Sequence, residues 1–266
     1  MISSLQAAIL GLVQGLTEFL PVSSSGHLVL AQHLMGFREA ELLFDVSVHV
    51  GTLFAVLVVF WADLYAMLRG LWAKDEEARQ GKRLLLLVIV GSIPTAFIGL
   101  AFKDTFEALF CSTTAVGIAL LFTGLLLFAT QLVKPTARGL EQTGWGRALI
   151  IGVAQGMAIT PGVSRSGATI ATGLLLGINR ELAARFSFVL SIPAILGALA
   201  LQIKDLEAPA QTPWAPLVIG AVVAAVSGYI ALKLLLKLVR GGRLHWFAYY
   251  CWALGITALV WSYCGA

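Results

Sequence analysis

The sequence predicts an all-α integral membrane protein: six transmembrane helices plus two re-entrant helix-loop-helix hairpins, arranged as an inverted-topology repeat. Three observations carry that expectation. Of 266 residues, 59% are hydrophobic and only 12% charged, with a mean hydropathy of +0.89, which excludes an ordinary soluble globule, a disordered chain and a coiled coil. Apolar stretches long enough to cross a bilayer recur along the whole chain. Two segments half a chain apart repeat one another.

In chain order, residues 5–35 are apolar but broken by a Pro, Ser and Gly cluster at 21–26. Spans follow at roughly 44–64, 84–102 and 113–132. Residues 148–178 are again apolar and broken, at 161–167, and spans follow at 183–201, 216–238 and 246–264. Each half of a broken region is too short to cross. Irregular backbone survives at membrane depth only inside protein or beside water, so a re-entrant hairpin is the economical reading and a pair of short complete spans the alternative.

Residues 14–27 (QGLTEFLPVSSSGH) laid over 155–168 (QGMAITPGVSRSGA) match at Gln14/Gln155, Gly15/Gly156, Val22/Val163, Ser23/Ser164, Ser25/Ser166 and Gly26/Gly167, where chance gives about one match. One membrane domain over 1–266 thus divides into repeat 1, about 1–133, and repeat 2, about 147–266. Three spans per repeat is odd, so the halves are inverted, one hairpin enters from each side, and the tips can meet near the midplane.

The net charge of +4 describes topology and needs no nucleic acid. With the N-terminus outside, inside segments hold Arg69, Lys74, Arg79, Lys82, Arg83, Lys134, Arg138, Arg147, Arg180, Arg185, Lys233, Lys237, Arg240 and Arg243, whereas outside segments hold Arg38, Lys103 and Lys204. That asymmetry predicts both termini outside and the first hairpin dipping in from the outer face. Trp61, Trp72, Trp214, Trp246 and Trp261 fall near span ends as interfacial anchors. Cys111, Cys251 and Cys264 have no metal-like spacing and read as free thiols. No Lys or Arg precedes the first apolar run, so a cleaved secretory signal is not expected.

Chemistry concentrates at the two tips. Glu18 alone among the acidic residues lies well inside an apolar run, a costly placement that marks a functional candidate, with a protonated or backbone-bonded structural role as the alternative. Gln14, four residues earlier, shares its helix face, as site residue or as packing partner. Arg165 is a permanent cation in the second tip, paired with Glu18 or free to grip an anion. Half-helices begin at Ser25-Gly26 and Ser166-Gly167, so N–H groups, dipole ends, Arg165 and hydroxyls of Ser23, Ser24, Ser25 and Ser164 together suit phosphate. His27 can exchange a proton or cap the turn. The serines are helix caps by default, or one is a nucleophile activated by His27 or Glu18. Thr169 can add a hydroxyl to the same cavity. His33, His49 and His245 have no evident partner and read as structural.

At these residues the chain strongly resembles a known family. QGLTEFLPVSSSGH at 14–27 and PGVSRSGAT at 161–169 are similar to the two signature motifs of bacterial undecaprenyl-diphosphate phosphatases of the bacitracin-resistance type, and the similarity extends to residues 93–96 and 186–188. The resemblance implies a phosphoanhydride hydrolase of the bacterial cytoplasmic (inner) membrane, converting undecaprenyl diphosphate to undecaprenyl phosphate plus inorganic phosphate on the periplasmic or outer side. That recycles the lipid carrier for peptidoglycan synthesis. It further implies Glu18, Ser24, His27 and Arg165 as catalytic. Ser23, Ser25, Gly26, Ser164, Ser166, Gly167 and Thr169 would surround the phosphates, and Glu18 and Gln14 would hold a divalent cation, Mg²⁺ or Ca²⁺. Gln14 stands where some members carry a second Glu. The prenyl tail would lie in lipid-facing grooves, and a homodimer is possible.

A polyprenyl-phosphate transporter or flippase is the competing reading, since inverted repeats with broken helices also build transporters. A flippase needs access from both faces and no nucleophile. A bare scaffold gives no reason for Glu18 and Arg165 at depth.

Overall fold

The computed structural model describes residues 2–37, 42–110, 112–204 and 214–264. Arg38 and Cys111, and the side chains of His33, Lys204 and Cys264, lie outside that description. Among the described residues are twelve α-helices, one 3₁₀ turn and no strand.

Helix α1 (Ser4–Phe19) starts at a capping box in which Ser3 Oγ accepts from Gln6 N–H and the Gln6 side chain accepts from Ser3 N–H. It stops at Leu20, already extended, because the residue before Pro21 is driven out of the helical region. The chain turns through Ser23, whose φ of +69° is rare outside glycine, into α2 (Ser24–Leu34). With 16 and 11 residues, the two reach about 24 and 17 Å, short of a hydrocarbon core of about 30 Å. The pattern recurs in α8 (Trp145–Met157) and α9 (Arg165–Leu175), separated by a turn in which Gly162 takes φ +91°.

Five helices are long and apolar enough to cross a membrane: α3 (Leu42–Val59), α5 (Glu76–Ala101), α7 (Thr113–Ala129, continued by a 3₁₀ turn to Leu132), α10 (Arg180–Lys204) and α11 (Trp214–Arg240). Helix α12 (Trp246–Cys264) fills the sixth expected stretch with 19 residues, its apolarity diluted by three Trp and three Tyr. The outward faces of the long helices carry Phe54, Ile93, Phe122 and Val226, all more than half exposed, as lipid as solvent requires. The chain is a multi-pass, all-α membrane protein.

Some bounds differ from the expectation. The stretch 44–64 is interrupted at Phe60, whose φ of −104° and ψ of 21° separate α3 from α4 (Trp61–Arg69). There the Phe60 ring stacks on Phe188 at 5.8 Å, and Asp63 forms an ion pair with Arg185 of α10. Helix α5 starts at Glu76 because Asp75 caps Ala78 N–H at 3.0 Å. The basic residues 79–83 are therefore helical. A short α6 (Lys103–Phe110) precedes α7.

The hairpins pack on spans from the opposite half of the sequence. Helix α1 packs on α11 and α8 on α5, while α7 packs on α12 and α9. Glycine permits the closest crossings: a Cβ on Gly15 would lie 2.1 Å from Ser227 Oγ, and one on Gly152 would lie 2.0 Å from the carbonyl oxygen of Gly91. Phe19 meets Phe188 edge-on at 5.8 Å, fixing the end of α1, and hence Glu18, against α10.

Candidate active site

Gln14 and Glu18 lie one turn apart on the buried face of α1, and Gln14 Nε2 donates to Glu18 Oε2 at 3.0 Å. The break at Pro21 lets the chain fold back, so Ser24 Oγ donates to the same Oε2 at 2.7 Å. Arg165, first residue of α9, donates through Nη2 to Glu18 Oε1. Glu18 is thus the hub: the Gln14 amide, the Ser24 hydroxyl and the Arg165 guanidinium converge on one buried carboxylate, its side chain 6% exposed.

The tips touch directly. A Cβ on Gly167 would stand 3.1 Å from Pro21 Cβ, so glycine is what allows α9 to begin against the first tip. Each tip is also held from outside its own half. Cys251 of α12, a free buried thiol, donates to the Pro21 carbonyl at 3.3 Å. Thr123 of α7 donates to the Gly162 carbonyl at 3.1 Å and accepts from Ser164 N–H at 3.3 Å.

The other expected residues separate into groups. Ser23, Ser25 and Gly26 line the first tip, with Ser23 Oγ 3.4 Å from Ser25 Oγ and a Cβ on Gly26 only in ordinary contact, 3.9 Å from Ser23 Oγ and from Val116 Cγ1. Ser164 caps α9 by accepting from Gly167 N–H at 3.2 Å, and its Oγ lies 3.2 Å from Ser166 Oγ. The Gly167 N–H, expected open to an anion, is therefore engaged within the tip, because the cap residue supplies the nearest acceptor. Thr169 is buried, donates to the Arg165 carbonyl at 2.8 Å and meets Ser187 of α10. His27 turns away from Ser24: Nδ1 is 2.8 Å from the Ser23 carbonyl and Nε2 is 2.5 Å from Tyr250 Oη of α12, the two rings stacking at 5.7 Å.

Two residues outside the expectation face this cluster. His49 Nε2 on α3 is 4.0 Å from Glu18 Oε2, and Tyr250 holds His27. A polar pair spaced four apart in an apolar run, Asp45 and His49, was a visible signal for the first. Nothing in the sequence marked Tyr250 or Thr123, since Tyr and Thr are common in spans.

Two buried polar atoms here have no hydrogen-bond partner, Gln14 Oε1 and Arg165 Nη1. Burying such groups unpaired costs about 1–3 kcal/mol each, so both are suited to a ligand. Arg165 Nη1 offers a donor to an anion. Gln14 Oε1 and the Glu18 carboxylate offer hard oxygen donors to a divalent cation. No group of three or more His, Cys, Asp or Glu side chains is assembled for a metal among the described residues. The donor set therefore fits a Mg²⁺-type ion bound through one or two protein oxygens and completed by substrate phosphate and water.

Comparison with known proteins identifies the family. Residues 7–257 match the family model described as bacitracin resistance protein BacA. The chain is 49% identical to an undecaprenyl-diphosphatase of Desulfatibacillum aliphaticivorans, over 96% of this chain and 98% of that one. It is 49% identical to the undecaprenyl-diphosphatase of Carboxydothermus hydrogenoformans, over 97% of each. An undecaprenyl-diphosphatase of Methanosphaera stadtmanae is 42% identical over 98% of this chain and 99% of its own. With matched segments running from end to end and including both hairpin tips, the chain belongs to the bacitracin resistance protein BacA family.

Proposed function

We propose that this protein is an undecaprenyl-diphosphate phosphatase, which hydrolyses undecaprenyl diphosphate to undecaprenyl phosphate plus inorganic phosphate and so returns the lipid carrier to cell-wall synthesis. The observation that carries the reading is the convergence of Ser24 Oγ and Arg165 on Glu18: a hydroxyl, its base and a cation at the meeting of two helix starts. Relatives of this length and identity bear the same activity in their names.

The chemistry follows from the contacts. Ser24 donates its hydroxyl proton to Glu18, so the carboxylate is placed to take that proton as Oγ attacks the terminal phosphorus. The bridging P–O bond breaks and undecaprenyl phosphate leaves. His27, engaged by Ser23 and Tyr250, is not the base in this arrangement and orders the first tip. Arg165 Nη1 and the first-turn N–H groups of α2, which no intrahelical carbonyl reaches, neutralise charge developing on the phosphoryl oxygens. A divalent cation, Mg²⁺ or Ca²⁺, held by Gln14 Oε1 and Glu18 would supply further charge neutralisation when bound.

We read the architecture as one domain of two inverted repeats, about 1–133 and 147–266, with six spans and two re-entrant hairpins. The exchange of packing partners between halves and the short paired helices support this. The asymmetry of Lys and Arg supports a place in the bacterial cytoplasmic membrane with both termini and the site toward the outer side. The test of function is phosphate release from undecaprenyl diphosphate by detergent-purified protein, with and without EDTA, beside Arg165→Ala. Metal-dependent release that vanishes in the variant is the expected result. No release from folded native protein in Mg²⁺ or Ca²⁺ would sink the reading and leave lipid transport in its place.

A further inference from the structure

The mechanism above leaves an imidazole beside Glu18 without a task. His49 Nε2 lies 4.0 Å from Glu18 Oε2, and the ring is held in that direction: Nδ1 is 2.7 Å from the carbonyl oxygen of Asp45, one turn earlier. Thr52 Oγ1 donates to the His49 carbonyl at 3.0 Å. A Cβ on Gly51 would stand 2.2 Å from the Ala221 carbonyl oxygen, so this turn of α3 is pinned against α11. A carbonyl oxygen can only accept, which places a proton on Nδ1, and in the neutral ring the Nε2 lone pair is then the atom turned toward the carboxylate.

Two acceptors thus face each other across a gap too long for a direct hydrogen bond. The separation suits one small molecule that donates to both. Water does so with O···N and O···O distances of about 2.8 Å, and the His49 side chain, 31% exposed beside a nearly closed Glu18, provides the approach.

We propose that His49 positions the water that completes hydrolysis, accepting one O–H at Nε2 while Glu18 Oε2 accepts the other. The inference rests on the phosphatase reading with Ser24 as nucleophile. Once undecaprenyl phosphate has left and Glu18 has released the proton taken from Ser24, the water oxygen forms a bond to the phosphorus of phosphoserine 24. The P–Oγ bond breaks with its electron pair going to Oγ. The water's proton passes to Glu18 and from there to Oγ, whose resting place is 2.7 Å away. The products are inorganic phosphate and a free serine hydroxyl. Nothing is oxidised or reduced.

The experiment is an acid-quenched time course with undecaprenyl diphosphate for native protein, His49→Leu, His49→Gln and Ser24→Ala. It follows undecaprenyl phosphate, inorganic phosphate and protein-bound phosphoryl by intact mass, with a thermal melt confirming each fold. In His49→Leu, one equivalent of undecaprenyl phosphate should appear in a burst, phosphate release should fall at least about tenfold, and phosphoserine should accumulate, with KM falling alongside kcat so that kcat/KM is held. His49→Gln, whose amide oxygen accepts the same water O–H, should recover most of the release. Native-rate phosphate release in folded His49→Leu overturns the proposal. So does equal slowing of both products with no trapped phosphoryl group, or a folded His49→Gln no better than His49→Leu. Activity in Ser24→Ala refutes the nucleophile on which the inference depends. An inactive native protein refutes the phosphatase reading itself, an outcome read without reference to the variants.

Discussion

Arg165 and Glu18 form an ion pair across 147 residues of sequence, joining the start of α9 to the end of α1. Among the described residues neither charge has another Lys, Arg, Asp or Glu partner at bonding distance, and the His49 imidazole lies 4.0 Å from Glu18. Each is therefore both a functional group and the condition for burying the other.

Removing either charge should cost activity and stability together. Arg165→Ala and Glu18→Gln are each expected to lower turnover at least about a hundredfold, the scale of losing a main charge-stabilising group. Breaking the buried pair should also destabilise by about 3–5 kcal/mol. A double variant, Glu18→Gln with Arg165→Met, should melt closer to the native temperature and stay inactive. Thermal melts beside phosphate-release assays check this, and a double variant less stable than both singles would contradict it.

Tyr250→Phe tests the grip of α12 on the first tip. It deletes one hydrogen bond to His27, worth about 0.5–1.5 kcal/mol, while keeping the ring stack. A turnover two- to tenfold lower with the fold intact is the expected outcome, on the same energy scale. His27→Ala should lose at least as much, and adding Tyr250→Phe to it should cost little more, as a double-mutant cycle would register.

Gly15→Ala tests the α1–α11 crossing. Its new methyl would sit 2.1 Å from Ser227 Oγ and 2.6 Å from the Ala224 carbonyl oxygen. Backbone cannot move as a side chain can, so α1 must shift, at a cost of about 1–3 kcal/mol. Because Glu18 follows within one turn, activity should fall beyond what lost stability explains. Ser227→Ala beside Gly15→Ala should relieve only part of the loss, since the carbonyl contact remains.

Topology has its own check. In a chain with Cys111, Cys251 and Cys264 replaced by Ser, a single cysteine at Glu77 should react with an impermeant maleimide only after cells are opened. One at Asp104 should react in intact cells. The reverse pattern would invert the protein and move the active site to the cytoplasmic face.

The sequence alone determined the class of solvent, the positions of the long apolar helices, the two broken regions and the residues at their tips. Composition, period and Pro/Gly punctuation are local properties, and a polar residue in an apolar run declares its own cost. Gln14, Glu18 and Arg165 stood out for that reason, whereas Ser24 was set apart from Ser23 and Ser25 only by the family resemblance. Sequence left open which of His27 and Glu18 holds Ser24. Only the tertiary structure decided it, by turning His27 onto Tyr250, a residue 223 positions away whose type carries no signal in a membrane helix. His49 was passed over on the same ground: its meaning lies in a distance to Glu18 that the crossing of α1 and α3 over α11 sets. The break at Phe60 likewise depends on Phe188 and Arg185, which lie far along the chain. Local pattern fixes where helices start and stop, whereas the direction of a buried side chain depends on which neighbours satisfy it, and those neighbours are brought together only by packing.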